Sequence, residues 1–202
     1  MRGSRETFRV KPMVAAFLPS SVGELQDAEA IALLQTIQRC VVQVSRQQGT
    51  TAVATAYASY SPESSLAALQ SAPMLLLPGF DSSLLEFRRL LPLLAKHQDV
   101  WAIDRYGSGF TEYVPTLAVN AQTIRQHLLS VLETWIRQPV ILVGASLGGA
   151  VALDFALHYP RWVRSIVLID SVGFSGSFPV GALLPQPLIA VVWTNYVEKG
   201  SQ

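Results

Sequence analysis

The stretch VILVGASLGGAVALDFAL, residues 140–157, decides the fold. Its first four residues are wholly apolar and predict a short buried strand, and residues 147–159 predict a helix. Between them, residues 144–148 match the pattern G-x-S-x-G, which needs a strand before it and a helix after it. The small residues around Ser146 let strand and helix approach each other, so the serine hydroxyl is expected at the helix N-terminus, where negative charge is favoured. We therefore predict that Ser146 is a nucleophile; the plainer alternative is a tight structural turn without chemistry.

The alternation of strand and helix extends on both sides of this stretch. The further predicted elements are, in chain order, a helix at 28–38, antiparallel strands at 40–44 and 51–60, a strand beginning at 74, a helix at 83–96, a strand at 100–104, a helix at 120–137 and a strand at 163–169. This order predicts an α/β fold, with a mostly parallel sheet and helices on both of its faces.

The loop that follows the apolar run from residue 74 lies at the carboxyl end of a predicted strand, which is where parallel sheets place functional sites. A glycine at this point, Gly79, lets the next backbone N–H point at the serine. We therefore predict that the N–H groups of Phe80 and Leu147 form an oxyanion hole, and that Gly79, Asp81 and Ser82 contact the substrate. The alternative is an ordinary strand-to-helix turn. Another carboxyl end carries the turn DRYGSG at residues 104–109, whose aspartate is predicted to bind the turn's own backbone.

Four segments together resemble the α/β-hydrolase superfamily, in particular its esterase-like and C–C-hydrolase-like serine members. They are PGFDSS, AIDRYGSGFTE, VGASLGG and HYPRWVRSIVLIDS, and the resemblance covers residues 74–172. One departure is Pro78, where the family usually has a histidine before the glycine. The resemblance implies a catalytic acid after the strand that follows Ile169, and a histidine after the strand beyond that. It therefore implies an α/β-hydrolase fold that lacks its last strands and helices in this chain.

None of the three histidines present is expected to act as the base. His158 lies 12 positions after Ser146 on the same predicted helix, about 18 Å away, and a general base must come within about 3 Å. His97 and His127 lie on crossover helices rather than at the carboxyl end of a strand. Asp170 occupies a position that some family members use for the triad acid, although such an aspartate more often stabilises the following turn.

Composition excludes several other classes of function. Half of the residues are hydrophobic, 14% are charged and the formal net charge is +1 without a basic cluster, which argues against nucleic acid as a partner. Cys40 is the only cysteine, so neither an internal disulfide nor a multi-thiolate metal site can form. We expect no cofactor, no metal and no membrane span; the pattern does not indicate an oligomeric state.

The chain is expected to divide into a poorly ordered extension at residues 1–27, a partial hydrolase core at 28–172 and the start of a cap or lid at 173–202. The expected compartment is the cytoplasm, with organellar targeting by the basic residues before Met13 as the alternative. If later strands are absent, residues 163–169 would form an exposed sheet edge that promotes self-association.

A serine at this turn indicates acyl chemistry, whereas the superfamily's epoxide hydrolases and haloalkane dehalogenases have an aspartate there. The expected function is a cofactor-independent hydrolase of a small, apolar ester, thioester or related acyl substrate, inactive or weakly active in this form without its histidine. Two alternatives remain open: a non-catalytic ligand-binding or interaction protein derived from a hydrolase, and a serine acyltransferase.

Overall fold

The computed structural model describes residues 15–47, 49–62 and 71–172, together with the backbone of 189–193. The strands are β1 (Gln38–Ser45), β2 (Thr50–Tyr60), β3 (Met74–Leu77), β4 (Val100–Ile103), β5 (Val140–Ala145), β6 (Val163–Ile169) and β7 (Ile189–Trp193). The α-helices are α1 (Ala28–Leu34), α2 (Leu90–Leu94), α3 (Ala121–Val131) and α4 (Leu147–His158). Short 3-10 turns occupy Ser20–Glu24, Leu84–Phe87 and Pro160–Trp162, and a π-helical turn, Leu132–Ile136, continues α3.

All seven strands form one sheet in the order β1-β2-β4-β3-β5-β6-β7. The first two pairings, β1 with β2 and β2 with β4, are antiparallel, and the remaining strands run parallel. The predicted α/β fold with a mostly parallel sheet is confirmed. From β3 the chain crosses to β4, on the side toward β1, and it then continues to β5, β6 and β7 on the other side of β3. The carboxyl ends of β3 and β5 therefore flank the point where the order reverses, which is where such sheets bind ligands.

The buried side chains form one cluster on each face of the sheet, because consecutive strand residues point to opposite faces. Leu75 and Leu77 pack on one face with residues of α3 and α4, whereas Leu76 packs on the other face with residues of α1, α2 and the Leu84–Phe87 turn. Helices on both faces explain why the central strands are apolar along their whole length.

The helix predicted for residues 83–96 is interrupted. A 3-10 turn, Leu84–Phe87, is followed by α2, which begins only at Leu90. Pro92 explains the break, because a proline inside a helix lacks an N–H and its ring clashes with the carbonyl four residues earlier. Starting the helix at Leu90 places Pro92 in its first turn, where both penalties are avoided.

The expectation that residues 163–169 form a sheet edge is wrong. Strand β7 pairs with β6 in parallel, from Ser165 with Ile189 to Ile169 with Trp193. Five residues of the segment expected to begin a cap or lid thus belong to the sheet instead. Residues 173–188 and 194–202 lie outside the described residues, so a cap there stays a prediction.

Residues 15–27, expected to belong to a poorly ordered extension, contact the core of the structure. Leu18 is buried against the cluster on the α1 face of the sheet. Asp27 accepts a hydrogen bond from Ala30 N at 2.9 Å as the cap of α1, and it forms ion pairs with Arg88 and Arg89. These contacts hold the pKa of the Asp27 carboxyl at about 2, the hydrogen bond from Ala30 being the main cause. Residues 1–14 lie outside the described residues.

The most apolar stretch, residues 139–157, divides between β5 and α4. Within the described part of the chain, no helix has the length and hydropathy that a bilayer crossing demands.

Candidate active site

Ser146 lies between the last residue of β5 and the first residue of α4. Its φ of 49° and ψ of −114° fall in a region that residues with a Cβ rarely occupy. Its backbone N–H donates to Ile169 O at 2.9 Å, so the end of β6 holds this turn in place. The residue is partly exposed. The turn therefore presents the serine at the carboxyl edge of the sheet, at the start of a helix.

The glycines around Ser146 leave no room for a side chain. A Cβ on Gly144 would lie 2.4 Å from Gly148 O, and one on Gly148 would lie 2.1 Å from Leu77 O. A Cβ on Gly149 would lie 2.4 Å from Ser171 Oγ. These separations are far below van der Waals contact, so strand, helix and neighbouring loops approach this closely only because the three residues are glycine.

The loop after β3 packs directly on the serine. A Cβ built on Gly79 would lie 3.4 Å from Ser146 Cβ, which is ordinary contact. Among the described residues, neither Phe80 N nor Leu147 N donates a hydrogen bond. The structure thus brings the loop predicted to supply one oxyanion donor against the turn predicted to supply the other, and it leaves both N–H groups unpaired there.

Two side chains bind the peptide groups on either side of Gly79. Its N–H donates to Glu86 Oε2 at 2.9 Å, and its carbonyl accepts from Arg105 Nη1 at 3.4 Å. Arg105 is 6% exposed, and its Nε has no hydrogen-bond partner among the described residues. The sequence analysis did not single out Glu86 or Arg105.

Asp104 holds the turn that follows β4, as the sequence analysis predicts. Its Oδ1 accepts from Leu84 N at 2.6 Å and its Oδ2 accepts from Phe110 N at 2.7 Å. Burial raises the pKa of this carboxyl to about 7, against the two N–H donors, which favour the carboxylate. A Cβ on Gly109, which has a φ of +56°, would lie 2.3 Å from the Asp104 carboxyl group, so this turn requires glycine.

His127 is a buried structural residue. Its Nδ1 accepts from Tyr106 N at 3.3 Å, so Nε2 carries the proton and donates to Thr55 Oγ1 at 2.7 Å. Burial lowers the pKa of the imidazole to about 3, which keeps the ring neutral. His158 ends α4 and bonds Asp154 O through Nδ1 at 2.8 Å, and His97 is exposed after α2. His127 is thus buried and hydrogen-bonded, whereas His97 and His158 are exposed; that none of the three acts as the base stays a prediction.

Asp170 follows the last residue of β6 with a φ of 46°, and its side chain is exposed. Since Ile169 O binds the serine's N–H, this aspartate lies on the same edge of the sheet as the turn at Ser146. No hydrogen bond joins its carboxylate to a histidine among the described residues. Its role as an acid stays a prediction.

An open cleft of about 1010 Å³ lies beside the loop after β3. Phe80, Asp81 and Ser82 line it, together with Phe17 and Phe110. Phe80 is 78% exposed, so this loop presents a large apolar side chain to the cleft. Ser146 and Gly79 are not among the residues that line it, so the cleft adjoins the serine turn instead of enclosing it. Of the three residues predicted to contact substrate, Asp81 and Ser82 face this cleft, whereas Gly79 contacts the serine.

The chain is similar in sequence to several known proteins. A curated relative, the alpha/beta hydrolase domain-containing protein VTE7 of Arabidopsis thaliana, is 38% identical over 160 residues, which are 79% of this chain and 47% of that protein. The 2-hydroxy-6-oxo-2,4-heptadienoate hydrolase of Pseudomonas putida is 37% identical over 89 residues, 44% of this chain and 32% of that enzyme. The chain thus spans less than half the length of these relatives.

A solved structure shows the same fold. A probable hydrolytic enzyme of Pseudomonas aeruginosa superposes with a TM-score of 0.59 at 24% identity, over 68% of this chain and 42% of that one. The family described as alpha/beta hydrolase fold matches residues 72–196, which include β3, β5 and the turn at Ser146. The chain is therefore a member of the α/β-hydrolase fold family.

Proposed function

We propose that the protein is a cofactor-independent serine hydrolase of ester, thioester or related acyl substrates, with Ser146 as its nucleophile. The observation that carries this proposal is the backbone of Ser146, which has a φ of 49° and a ψ of −114° between β5 and α4. A conformation this unfavourable persists only where the surrounding structure enforces it, and such residues cluster at active sites. Backbone hydrogen bonds from Ser146 N to Ile169 O and from Val172 N to Ser146 O hold this turn, and the glycines at 144 and 148 permit it, because side chains there would clash.

In the proposed reaction, Ser146 Oγ attacks the acyl carbon and the substrate oxygen becomes an oxyanion. The N–H groups of Phe80 and Leu147, which donate to none of the described residues, would bind that oxygen, and each such donor contributes about 10²–10³ in rate. The general base would come from outside these 202 residues, since His97, His127 and His158 are the only histidines of the chain and none adjoins the turn. Asp170 is the candidate acid on the described edge of the sheet.

The substrate would be small and apolar near its acyl group. The cleft beside the loop after β3 presents the rings of Phe17, Phe80 and Phe110, which can pack on an apolar group. Charged side chains also line it, among them Arg39 and Arg88, so a polar part of the substrate could bind there as well. The hydrolase relative from Pseudomonas putida is consistent with acyl or C–C bond cleavage in this family. The compartment, whether cytoplasm or organelle, stays a prediction.

Covalent labelling by a fluorophosphonate tests the nucleophile. The native full-length protein should be labelled at one serine, and the variant Ser146→Ala should not be labelled. Ser59→Ala is the matched control, because Ser59 is an exposed serine on β2 and its loss should leave labelling intact. Equal labelling of Ser146→Ala and the native protein would rule out Ser146 as the nucleophile.

Product analysis distinguishes hydrolysis from acyl transfer. A p-nitrophenyl ester should yield the free acid, and adding an alcohol acceptor should not divert the acyl group. If a new ester formed in proportion to the alcohol, the protein would be an acyltransferase that uses the same serine. Binding of the ester without turnover, in a folded native protein, would instead favour the non-catalytic alternative.

A further inference from the structure

The loop that packs on Ser146 is held through its backbone on both sides of Gly79. Glu86 accepts from the Gly79 N–H at 2.9 Å, which anchors the peptide group between Pro78 and Gly79. Arg105 donates to the Gly79 carbonyl at 3.4 Å, which anchors the next peptide group, between Gly79 and Phe80. Two successive peptide planes are therefore restrained by side chains from two other parts of the fold.

The second of these planes carries the proposed oxyanion donor. A trans peptide is planar, so the Gly79 C=O and the Phe80 N–H belong to one rigid unit and point in opposite directions. A side chain that binds the carbonyl from one side therefore determines where the N–H points on the other. Glycine is the residue most free to rotate about its φ and ψ, so without anchors this plane would be the least restrained part of the loop.

We propose that Glu86 and Arg105 are positioning residues that orient the Phe80 N–H toward the oxyanion formed at Ser146. This inference rests on the proposed function, because it assigns a role within the same site. Neither side chain touches the reacting atoms; each acts through the backbone of Gly79.

The burial of Arg105 supports this role. The residue is 6% exposed, and no carboxylate among the described residues lies within ion-pair distance of its guanidinium, although the neighbouring Asp104 carboxylate favours the charge from farther away. Burying a cation without an ion pair is costly, so stability alone does not account for an arginine at this position. Its hydrogen bond to the Gly79 carbonyl, which fixes the orientation of that peptide group, accounts for the position of the guanidinium.

Glu86 supports it from the opposite side of the loop. This residue is the exposed position of the 3-10 turn Leu84–Phe87, whose Leu84 and Phe87 are buried, so its side chain could extend fully into solvent. Its carboxylate instead binds the Gly79 N–H, and such charge-assisted bonds are stronger than neutral ones. The turn itself is fixed, because Asp104 accepts a hydrogen bond from Leu84 N at 2.6 Å. The backbone that carries Glu86 is therefore fixed relative to β4.

Steady-state kinetics of the native full-length protein on a p-nitrophenyl ester test the proposal. Glu86→Ala should lower kcat by about 10-fold or more, up to the 10²–10³-fold that losing a whole oxyanion donor costs. KM should change by less than about threefold, because the donor acts mainly in the transition state. Glu86→Gln retains an oxygen that can accept from the Gly79 N–H and should recover most of kcat. Glu133→Ala, which removes an exposed carboxylate beyond α3, is the matched control and should leave kcat unchanged.

The same logic applies to Arg105, where Arg105→Met removes the donor and Arg105→Lys retains one. If Arg105→Met does not fold, the Glu86 pair decides the question, because Glu86 is exposed. An NMR spectrum adds a readout that needs no activity: the Gly79 amide proton should move upfield in Glu86→Ala and stay near its native position in Glu86→Gln.

The outcomes separate this inference from the proposed function. An unchanged kcat in Glu86→Ala, or no recovery in Glu86→Gln, would overturn the positioning role while Ser146→Ala still abolished labelling. If Ser146→Ala were labelled as well as the native protein, the proposed function itself would fail. If Glu86→Ala lowered kcat but also lowered Tm below the assay temperature, the inference would be refuted as well, because the loss of kcat would then reflect general unfolding.

Discussion

Replacing Ser146 with glycine should make the protein more stable while it removes the proposed nucleophile. The φ of 49° and ψ of −114° at this residue strain a backbone that carries a Cβ, and such conformations cost about 1–3 kcal/mol each. Glycine relieves that strain but gives the unfolded chain more freedom, which costs about 0.4–1 kcal/mol. We therefore expect Ser146→Gly to raise the free energy of unfolding by about 1–2 kcal/mol.

Ser146→Ala is the control for this measurement, because alanine removes the hydroxyl and keeps the strained Cβ. Its stability should stay close to that of the native protein, so the gain should appear only with glycine. Urea unfolding followed by circular dichroism gives the two free energies. For a domain of this size, 1–2 kcal/mol corresponds to a rise in Tm of roughly 2–8 °C. If Ser146→Gly were no more stable than Ser146→Ala, the backbone at this turn would not be strained and the argument for an enforced nucleophile would fail.

Three further predictions concern the surroundings of this turn. Gly148→Ala should lower the free energy of unfolding by about 1–3 kcal/mol or more, because its Cβ would lie 2.1 Å from Leu77 O. Gly23→Ala is the control for the same urea titration. A Cβ there would meet nothing within 4 Å, so its free energy of unfolding should stay nearly unchanged. His127, whose pKa burial lowers from 6.5 to about 3, should stay neutral with its proton on Nε2 well below pH 6. It therefore stabilises the fold above pH 6.5 and loses that contribution as the pH falls toward 3; a nitrogen-15 NMR titration with a midpoint near 6.5 would contradict this. Burial raises the pKa of Asp104 from 3.8 to about 7, so the folded state binds its proton more tightly and the stability from this group is lost as the pH rises from 3.8 to 7. The native protein should accordingly lose stability relative to Asp104→Asn across that interval, and parallel pH profiles of unfolding would refute the assignment.

The centre of the fold could be predicted because local signals agree there. Residues 140–157 combine an apolar run, three glycines and a helical pattern. These are the strand, the turn and the helix that the G-x-S-x-G pattern needs in that order. The structure confirms the strand, the turn and the helix, and it gives the glycines a steric reason. The turn after β4 was predictable for the same reason, since its residues lie close together in sequence. Asp104 accepts from the Phe110 N–H, and Gly109 leaves room for the Asp104 carboxyl group.

The features that escaped prediction depend on contacts between distant parts of the chain. The burial of Leu18 requires the α1 face of the sheet, which its own neighbours in sequence do not reveal. The pairing of β7 depends on the open side of β6, and its sequence lies in a Pro- and Gly-rich region that suggests a loop. Glu86 and Arg105 meet at Gly79 only after β3 and β4 have paired, so no spacing in the sequence indicates that they bind the same residue.

The position of β3 between β4 and β5 has a consequence for how the protein folds. A chain synthesised only as far as residue 139 contains β1, β2, β4 and β3, but the side of β3 that β5 occupies stays open. The arrival of β5 closes that side and in the same step brings Ser146 against Gly79. An intermediate without β5 therefore lacks the proposed site, and it carries a strand with an unpaired side that neighbouring chains can pair with. The covering of this side of β3 and the completion of the proposed site are therefore a single folding event.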